Sequence, residues 1–176
     1  MAEFLGDLGD HEQGEAGGDA AADHLRRAGQ HQAACNLLVE LATAHPGSGT
    51  VQYATACIHD FLGLEAQAVP YYLAAIAAGL DDEELRGAYL GLGSTYRTLG
   101  RYAESEQTLL AGLVRFPDAV ELQVFLAMTS YNLGRHHDAV ANLLRVIAET
   151  SADPAVHGYA RAIRLYADDL DRIWDE

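Results

Sequence analysis

Two related blocks of ten residues align in this chain at a fixed distance. The stretch Leu92 to Arg101 (LGSTYRTLGR), followed by Leu109 and Leu110, aligns without a gap on Leu126 to Arg135 (LAMTSYNLGR), followed by Leu143 and Leu144, at an offset of 34 residues. Self-similarity at such a period marks an array of supersecondary units, none of which can bury its apolar face alone. Gly29 and Gly63 are also 34 apart, while Gly63 to Gly100 is 37, an offset that absorbs a three-residue insertion near Asp82 to Leu85. The four glycines predict four equivalent turns.

Each glycine follows one helical, apolar segment and precedes another, where a helix must stop in a left-handed conformation that only glycine adopts cheaply. The unit is therefore helix, glycine turn, helix. Pro46 and Pro117 lie 17 residues past their glycines, and Pro154 falls just beyond the corresponding point of the fourth unit. Proline ends helices, so these positions mark boundaries between units. Ala139, Val140, Leu143, Leu144, Val146 and Ile147 make one apolar stripe at helical spacing, and no β-branched run alternates with polar residues over strand length. Pro70 is the local misfit: it falls in the first or second turn of the second unit's second helix, where it takes a free N-terminal position or kinks the helix.

These residues resemble the tetratricopeptide repeat, which has this length, with Leu-Gly-x-x-Tyr in its first helix, then Gly, Ala, an aromatic residue or Leu, and Pro. Tyr89, Leu92, Gly93, Tyr96, Gly100, Leu109 and Pro117 stand at signature positions of the third unit, with Ser105 and Gly112 replacing alanines. The fourth unit matches at Leu126, Ala127, Gly134, Ala139 and Leu143, the second at Ala56, Gly63, Ala68 and Tyr72, and the first at Ala22, Gly29, Ala34, Leu38 and Pro46. The run from His59 through Leu133 is also similar to a short bacterial subfamily of mostly uncharacterised members. The resemblance implies an all-α, right-handed superhelical solenoid of about four helix pairs, with units at about 15–48, 49–82, 86–119 and 120–153 of a domain spanning 19–153.

After Pro154, the apolar residues Val156, Tyr159, Ile163, Tyr166, Leu170 and Ile173 step 3-4-3-4-3, with Trp174 at the end. That pattern predicts an amphipathic helix over 154–176 that caps the last repeat. The same stripe also reads as a coiled-coil dimer seam. Residues 1–18 hold five glycines and five acids but no basic residue, around an apolar patch of Phe4, Leu5 and Leu8. They read as a flexible tail, a short helix on the first repeat, or a segment lying in a neighbour's groove.

Charge excludes several functions. Eleven basic residues, all arginine, stand against 26 acids, for a formal charge of −15. Nucleic-acid binding needs a basic surface. Without lysine, Schiff-base chemistry and a P-loop are impossible. No stretch approaches the roughly 20 apolar residues that span a bilayer, and the N-terminus lacks a signal-peptide pattern, so one compact cytoplasmic domain is expected, binding neither nucleic acid nor membrane. Cys35 and Cys57, 22 residues apart, read as reduced, packed thiols.

The residues that could carry chemistry do not assemble into a known arrangement. His136-His137-Asp138 places its imidazoles about 100° apart on a helix, against the i,i+4 spacing of a zinc motif. His59-Asp60 reads as structural or groove-lining. Gly87, Gly91 and Gly93 follow no strand and predict close helix packing, and Ser94 has no nucleophile elbow. The acidic run Asp81 to Glu84 fits a helix N-terminus. No catalytic residue, metal or cofactor is expected, and the protein reads as a non-enzyme.

What remains is surface shape. In tetratricopeptide domains the first helices of the units line a concave face. Carried onto this chain, the lining positions are Tyr53, Cys57, Asp60 and Phe61; Leu90, Ser94, Arg97 and Thr98; and Val124, Met128, Tyr131 and Asn132. The first unit adds Asp19, Asp23, Arg26 and Arg27, and the cap adds Gly158, Leu165 and Tyr166. The Lys and Asn of a chaperone-binding carboxylate clamp are missing. The resemblance implies a protein-interaction module that holds a peptide or helix, apolar or basic, of a partner of unidentified kind. The alternative is a self-associating scaffold, a homodimer through the C-terminal helix or the N-terminal segment.

Overall fold

The computed structural model describes residues 20–173. Asp19, the segment 1–18 and Trp174 lie outside the described residues. Among these residues every regular element is a helix. A helix through 20–27 (α1) is followed by α2 (His31–Ala44), α3 (Gly49–Phe61), α4 (Glu65–Ala78), α5 (Asp82–Thr98), α6 (Tyr102–Arg115), α7 (Val120–Asn132), α8 (His136–Thr150), α9 (Pro154–Gly158) and α10 (Ala160–Asp168). The chain forms two compact units, one through Thr95 and one from Tyr96 onward.

The four predicted turns are built alike. Gly29, Gly63, Gly100 and Gly134 have φ of 74°, 71°, 73° and 80°. Each donates its N–H to the carbonyl three residues back, on Arg26, Asp60, Arg97 and Tyr131. The residue after each glycine donates to the carbonyl five back: Gln30 to Leu25, Leu64 to His59, Arg101 to Tyr96 and Arg135 to Ser130, at 2.8–2.9 Å. This is the helix-ending pattern in which a left-handed glycine lets two orphan carbonyls find donors. The insertion near Asp82 extends α5 at its N-terminus, giving 17 residues where α3 and α7 have 13. Asp81 caps that end, accepting from the Glu84 N–H at 2.9 Å. Pro70 is the sixth residue of α4, and the helix runs through it. Its missing N–H leaves the Ala66 carbonyl without a helical donor, and both residues are exposed, so that carbonyl is open to solvent.

In the first unit α2 packs on α3 and α3 on α4. Ala22, Cys35, Leu38 and Ile58 form a continuous core, flanked by Leu37, Leu41, Ala54 and Leu62. In the second unit α7 packs against both α6 and α8, and α10 packs on α8. Leu109 and Leu122 are fully buried there. Ser105, at a signature alanine position, is also fully buried, with its hydroxyl 2.9 Å from that of Thr129. A small polar residue is accommodated because its partner is equally buried.

The C-terminal segment is helical in two pieces rather than one. Asp153 caps α9 through the Ala155 N–H at 2.8 Å, and the chain bends at Tyr159 before α10 begins. The helix ends at Asp168, short of Leu170 and Ile173. Ala160 and Ala167 supply the buried face of α10, while Tyr159, Leu165, Tyr166 and Ile173 are exposed. The stripe read from the sequence is thus only partly turned inward, because small alanines allow α10 to lie close on α8.

Candidate functional site

The predicted lining residues fall into two groups, one in each unit. In the first, Tyr53, Cys57, Asp60 and Phe61 recur along one side of α3, and Leu90 and Ser94 lie half-buried on α5. Tyr53 and Cys57 line a cavity of about 360 Å³ together with Asp23, Arg26, Thr50 and Glu84; Leu90 and Ser94 are not among its walls. Arg26 is held by Asp23 at 3.2 Å, and Thr50 donates to Glu84 at 3.0 Å. Phe61 is 65% exposed, with its ring 4.4 Å from that of His31.

Most of these side chains are engaged inside the unit. The Asp60 carboxylate accepts from the Tyr72 hydroxyl at 2.8 Å and from the Thr95 hydroxyl at 2.9 and 2.8 Å to its two oxygens. Burial raises its pKa above the ordinary carboxylate value, against the hydrogen bonds from Thr95 and Tyr72 that lower it. Burial likewise raises the Cys57 thiol, opposed by hydrogen bonds with Tyr72 and Tyr53. The Tyr53 and Tyr72 hydroxyls are pushed up, first by burial and then by Cys57. Two glycines seat the tyrosines: a Cβ at Gly87 would strike the Tyr53 hydroxyl, and one at Gly91 would strike that of Tyr72. Gly87 and Gly91 are one turn apart on α5, so the glycines that mimic a phosphate loop are a notch for two aromatic rings.

His59 is buried beside this group. Its Nδ1–H donates to the Thr55 carbonyl at 2.7 Å, its Nε2 lies 3.8 Å from Cys35 Sγ, and its ring stacks on Tyr71 at 5.0 Å. Both nitrogens are taken by structural partners. Cys35 and Cys57 are both free thiols.

In the second unit the group is open. Arg97, Met128, Tyr131 and Asn132 line a cavity of about 350 Å³ whose far wall is Val140 and Leu143 of α8; Val124 is half-buried on α7 and does not reach it. Tyr131 is 60% exposed, its ring 4.6 Å from that of His136. The Arg97 guanidinium donates once, from Nη1 to Asn132 Oδ1 at 3.3 Å, and its Nε is buried without a hydrogen-bond partner. His136 and His137 serve different neighbours, since His137 Nε2 meets Asp171 at 3.2 Å. Among the described residues no three His, Cys, Asp or Glu side chains are gathered as a metal site would require.

Sequence reasoning missed the partners that tie up Asp60. Tyr72 carried only its signature position, and Thr95 carried no signal, because a hydrogen bond across 35 residues leaves no trace in spacing. The glycine pair Gly87 and Gly91 was the readable half of this arrangement.

Helix pairs closed by left-handed glycines and stacked through small residues define a helical-repeat protein. The family profile described as Tetratrico peptide repeat matches residues 49–170, and the chain belongs to the tetratricopeptide repeat family. Such repeats generally mediate protein–protein interaction and are typically non-catalytic. The chain is also similar to Protein O-mannosyl-transferase Tmtc3 of Drosophila melanogaster, at 32% identity over 104 residues. That alignment covers 58% of this chain but only 11% of the relative. No helix among the described residues is long and apolar enough to cross a membrane.

Proposed function

We propose that the protein is a non-enzymatic interaction module whose second unit holds a segment of a partner protein against Arg97, Met128, Tyr131 and Asn132. The observation that carries this reading is the cavity of about 350 Å³ with an apolar wall and one underused cation. The Arg97 guanidinium makes a single hydrogen bond, so a segment that brings a carbonyl or carboxylate to its remaining Nη donors gains from it. Met128, Tyr131, Val140 and Leu143 select an apolar side chain beside that acceptor, Met and Tyr being adaptable anchors. The net charge of −15 favours a segment with basic flanks. In the first unit Tyr53, Cys57, Asp60, Phe61, Leu90 and Ser94 offer a second surface, with Phe61 its most exposed apolar member. Cytoplasmic residence and kinship with the short bacterial subfamily belong to the same reading; they are supported by the two free thiols and by the run from His59 through Leu133.

Selection of random peptides on the whole protein tests this, with the variant Tyr131→Ala/Arg97→Glu as the second bait. Peptides with an apolar anchor, retained by the natural protein and lost from the variant, are the expected result. Equal retention by both baits, or none by either, removes the groove.

A second reading, self-association through the C-terminal helix, is favoured by the outward placement of Leu165 and Tyr166 on α10.

A further inference from the structure

The face of α10 turned away from α8 has an order that packing within the chain does not explain. Its inner side is accounted for: Ala160 and Ala167 are buried, and Arg164 donates to the Ala148 carbonyl of α8 at 3.3 Å. On the outer side, Arg161 and Leu165 stand one turn apart on the helix, and Asp169 continues the series four residues on at the C-cap, where the backbone is extended. Leu165 and its neighbour Tyr166 are 49% and 52% exposed. Single exposed apolar residues are ordinary; the charges around these two are not.

A helix is favoured by acids at its start and bases at its end. That rule is followed by α5, with Asp82, Glu83 and Glu84 first and Arg97 last, and by α6, with Glu104 first and Arg115 last. In α10 the order is reversed, with Arg161 near the start, Asp168 at the end and Asp169 at the C-cap. Asp168 is taken by Arg145 at 3.0 Å. Among the described residues, Arg161 and Asp169 have no ion-pair partner. Their midpoint in sequence is Leu165, so a two-fold axis there lays the helix antiparallel on its own copy. Each Arg161 then faces the Asp169 of the other copy, and the two Leu165 side chains meet on the axis. A two-fold interface must be complementary to itself, and this row satisfies that condition with no other residue supplied. The same pairing offsets the unfavourable charge order, because each helix end receives the opposite charge from its neighbour.

We propose that the protein forms a homodimer through the outer face of α10, antiparallel about Leu165, with reciprocal Arg161 to Asp169 pairs. This rests on the self-association reading above and specifies its register. A nine-residue helix is about 14 Å long and offers less than the roughly 1,200 Å² of a stable dimer. Exposed Tyr159 and Ile173 widen the patch, and the dimer is a weak one set by protein concentration.

Sedimentation equilibrium of the whole protein from micromolar to near-millimolar concentration tests both levels. The expected mass rises from 18.9 kDa toward twice that value, and Leu165→Asp holds it at the monomer. Arg161→Asp and Asp169→Arg each place like charges opposite one another twice per dimer, and each is expected to raise the dissociation constant by about tenfold or more. The double variant Arg161→Asp/Asp169→Arg returns it to within about threefold of the starting value. A monomer at every concentration overturns self-association altogether. A dimer indifferent to either single reversal, or not rescued by the double one, overturns only this register. Far-ultraviolet circular dichroism of each variant confirms that the fold is intact.

Discussion

Asp60 and Arg97 occupy equivalent places in successive repeats, each giving its carbonyl to a left-handed glycine three residues later, yet their side chains have opposite fates. Asp60 accepts from the Tyr72 hydroxyl and from the Thr95 hydroxyl, the latter shared between both carboxylate oxygens, inside a unit whose tyrosines rest on Gly87 and Gly91. Arg97 makes one long bond to Asn132 beside an open apolar wall. The same backbone scaffold therefore supports an internally bonded carboxylate in one unit and a sparsely bonded guanidinium in the other. A repeat fixes where a side chain starts, and its neighbours decide whether it is available.

The largest effects should come from the two cores. Leu38→Ala in the first unit and Leu109→Ala in the second are each expected to cost about 2–5 kcal/mol, the range for fully buried leucine. Hydrogen exchange resolves the comparison: protection lost mainly in the unit that carries the substitution marks two separate cooperative blocks, whereas equal loss in both makes the division cosmetic.

Next comes the tyrosine notch. Gly91→Ala drives a methyl group into the buried Tyr72 and should cost about 1–3 kcal/mol, although alanine is the better helix former by about 1 kcal/mol. Gly158→Ala, with open space around its position, should cause no loss. Matching denaturation midpoints for the two variants would mean that the first unit is not closed by its aromatics.

The Asp60 carboxylate offers a pH-resolved test. Its folded pKa lies above the unfolded one, so between those values the native state binds the extra proton. Stability contributed by this group therefore rises as pH falls through the folded pKa and levels off below the unfolded value. Asp60→Asn should remove that slope while keeping an acceptor for Thr95. Asp60→Ala should cost about 1–3 kcal/mol at neutral pH by stranding the Tyr72 and Thr95 hydroxyls. An unchanged slope in Asp60→Asn would assign the pH response to other carboxylates.

The smallest stability effect is expected at the open site. Arg97→Met gives up one bond of 3.3 Å and an unpartnered buried Nε, so thermal unfolding should shift by no more than about 0.5 kcal/mol. Selected peptides should still lose their hold. A large destabilisation would show that the fold depends on Arg97 as much as on Asp60, and the contrast between the units would fail.

The architecture was legible because its signals are local. Gly29, Gly63, Gly100 and Gly134 report a backbone conformation that lies within six residues of each glycine, and Pro46 and Pro117 report helix ends just before them. The C-terminal stripe misled in part, since Tyr159 and Tyr166 carry an apolar period as convincing as that of α8 and yet face outward. Periodicity says that one face of a helix is apolar. It does not say which neighbour is close enough to cover it, and on α8 the small Ala160 and Ala167 win that contact.

The sequence by itself determined the helical class, the period, the turns and the charge, since each follows from residue type at short range. Only the tertiary structure decided that Asp60 is locked and that Arg97 keeps a single hydrogen bond, because that depends on Thr95 arriving from 35 residues away and on no carboxylate among the described residues arriving at Arg97. Such distances are set by how helices stack, and the strength of a hydrogen bond or ion pair falls off within a few ångströms of them.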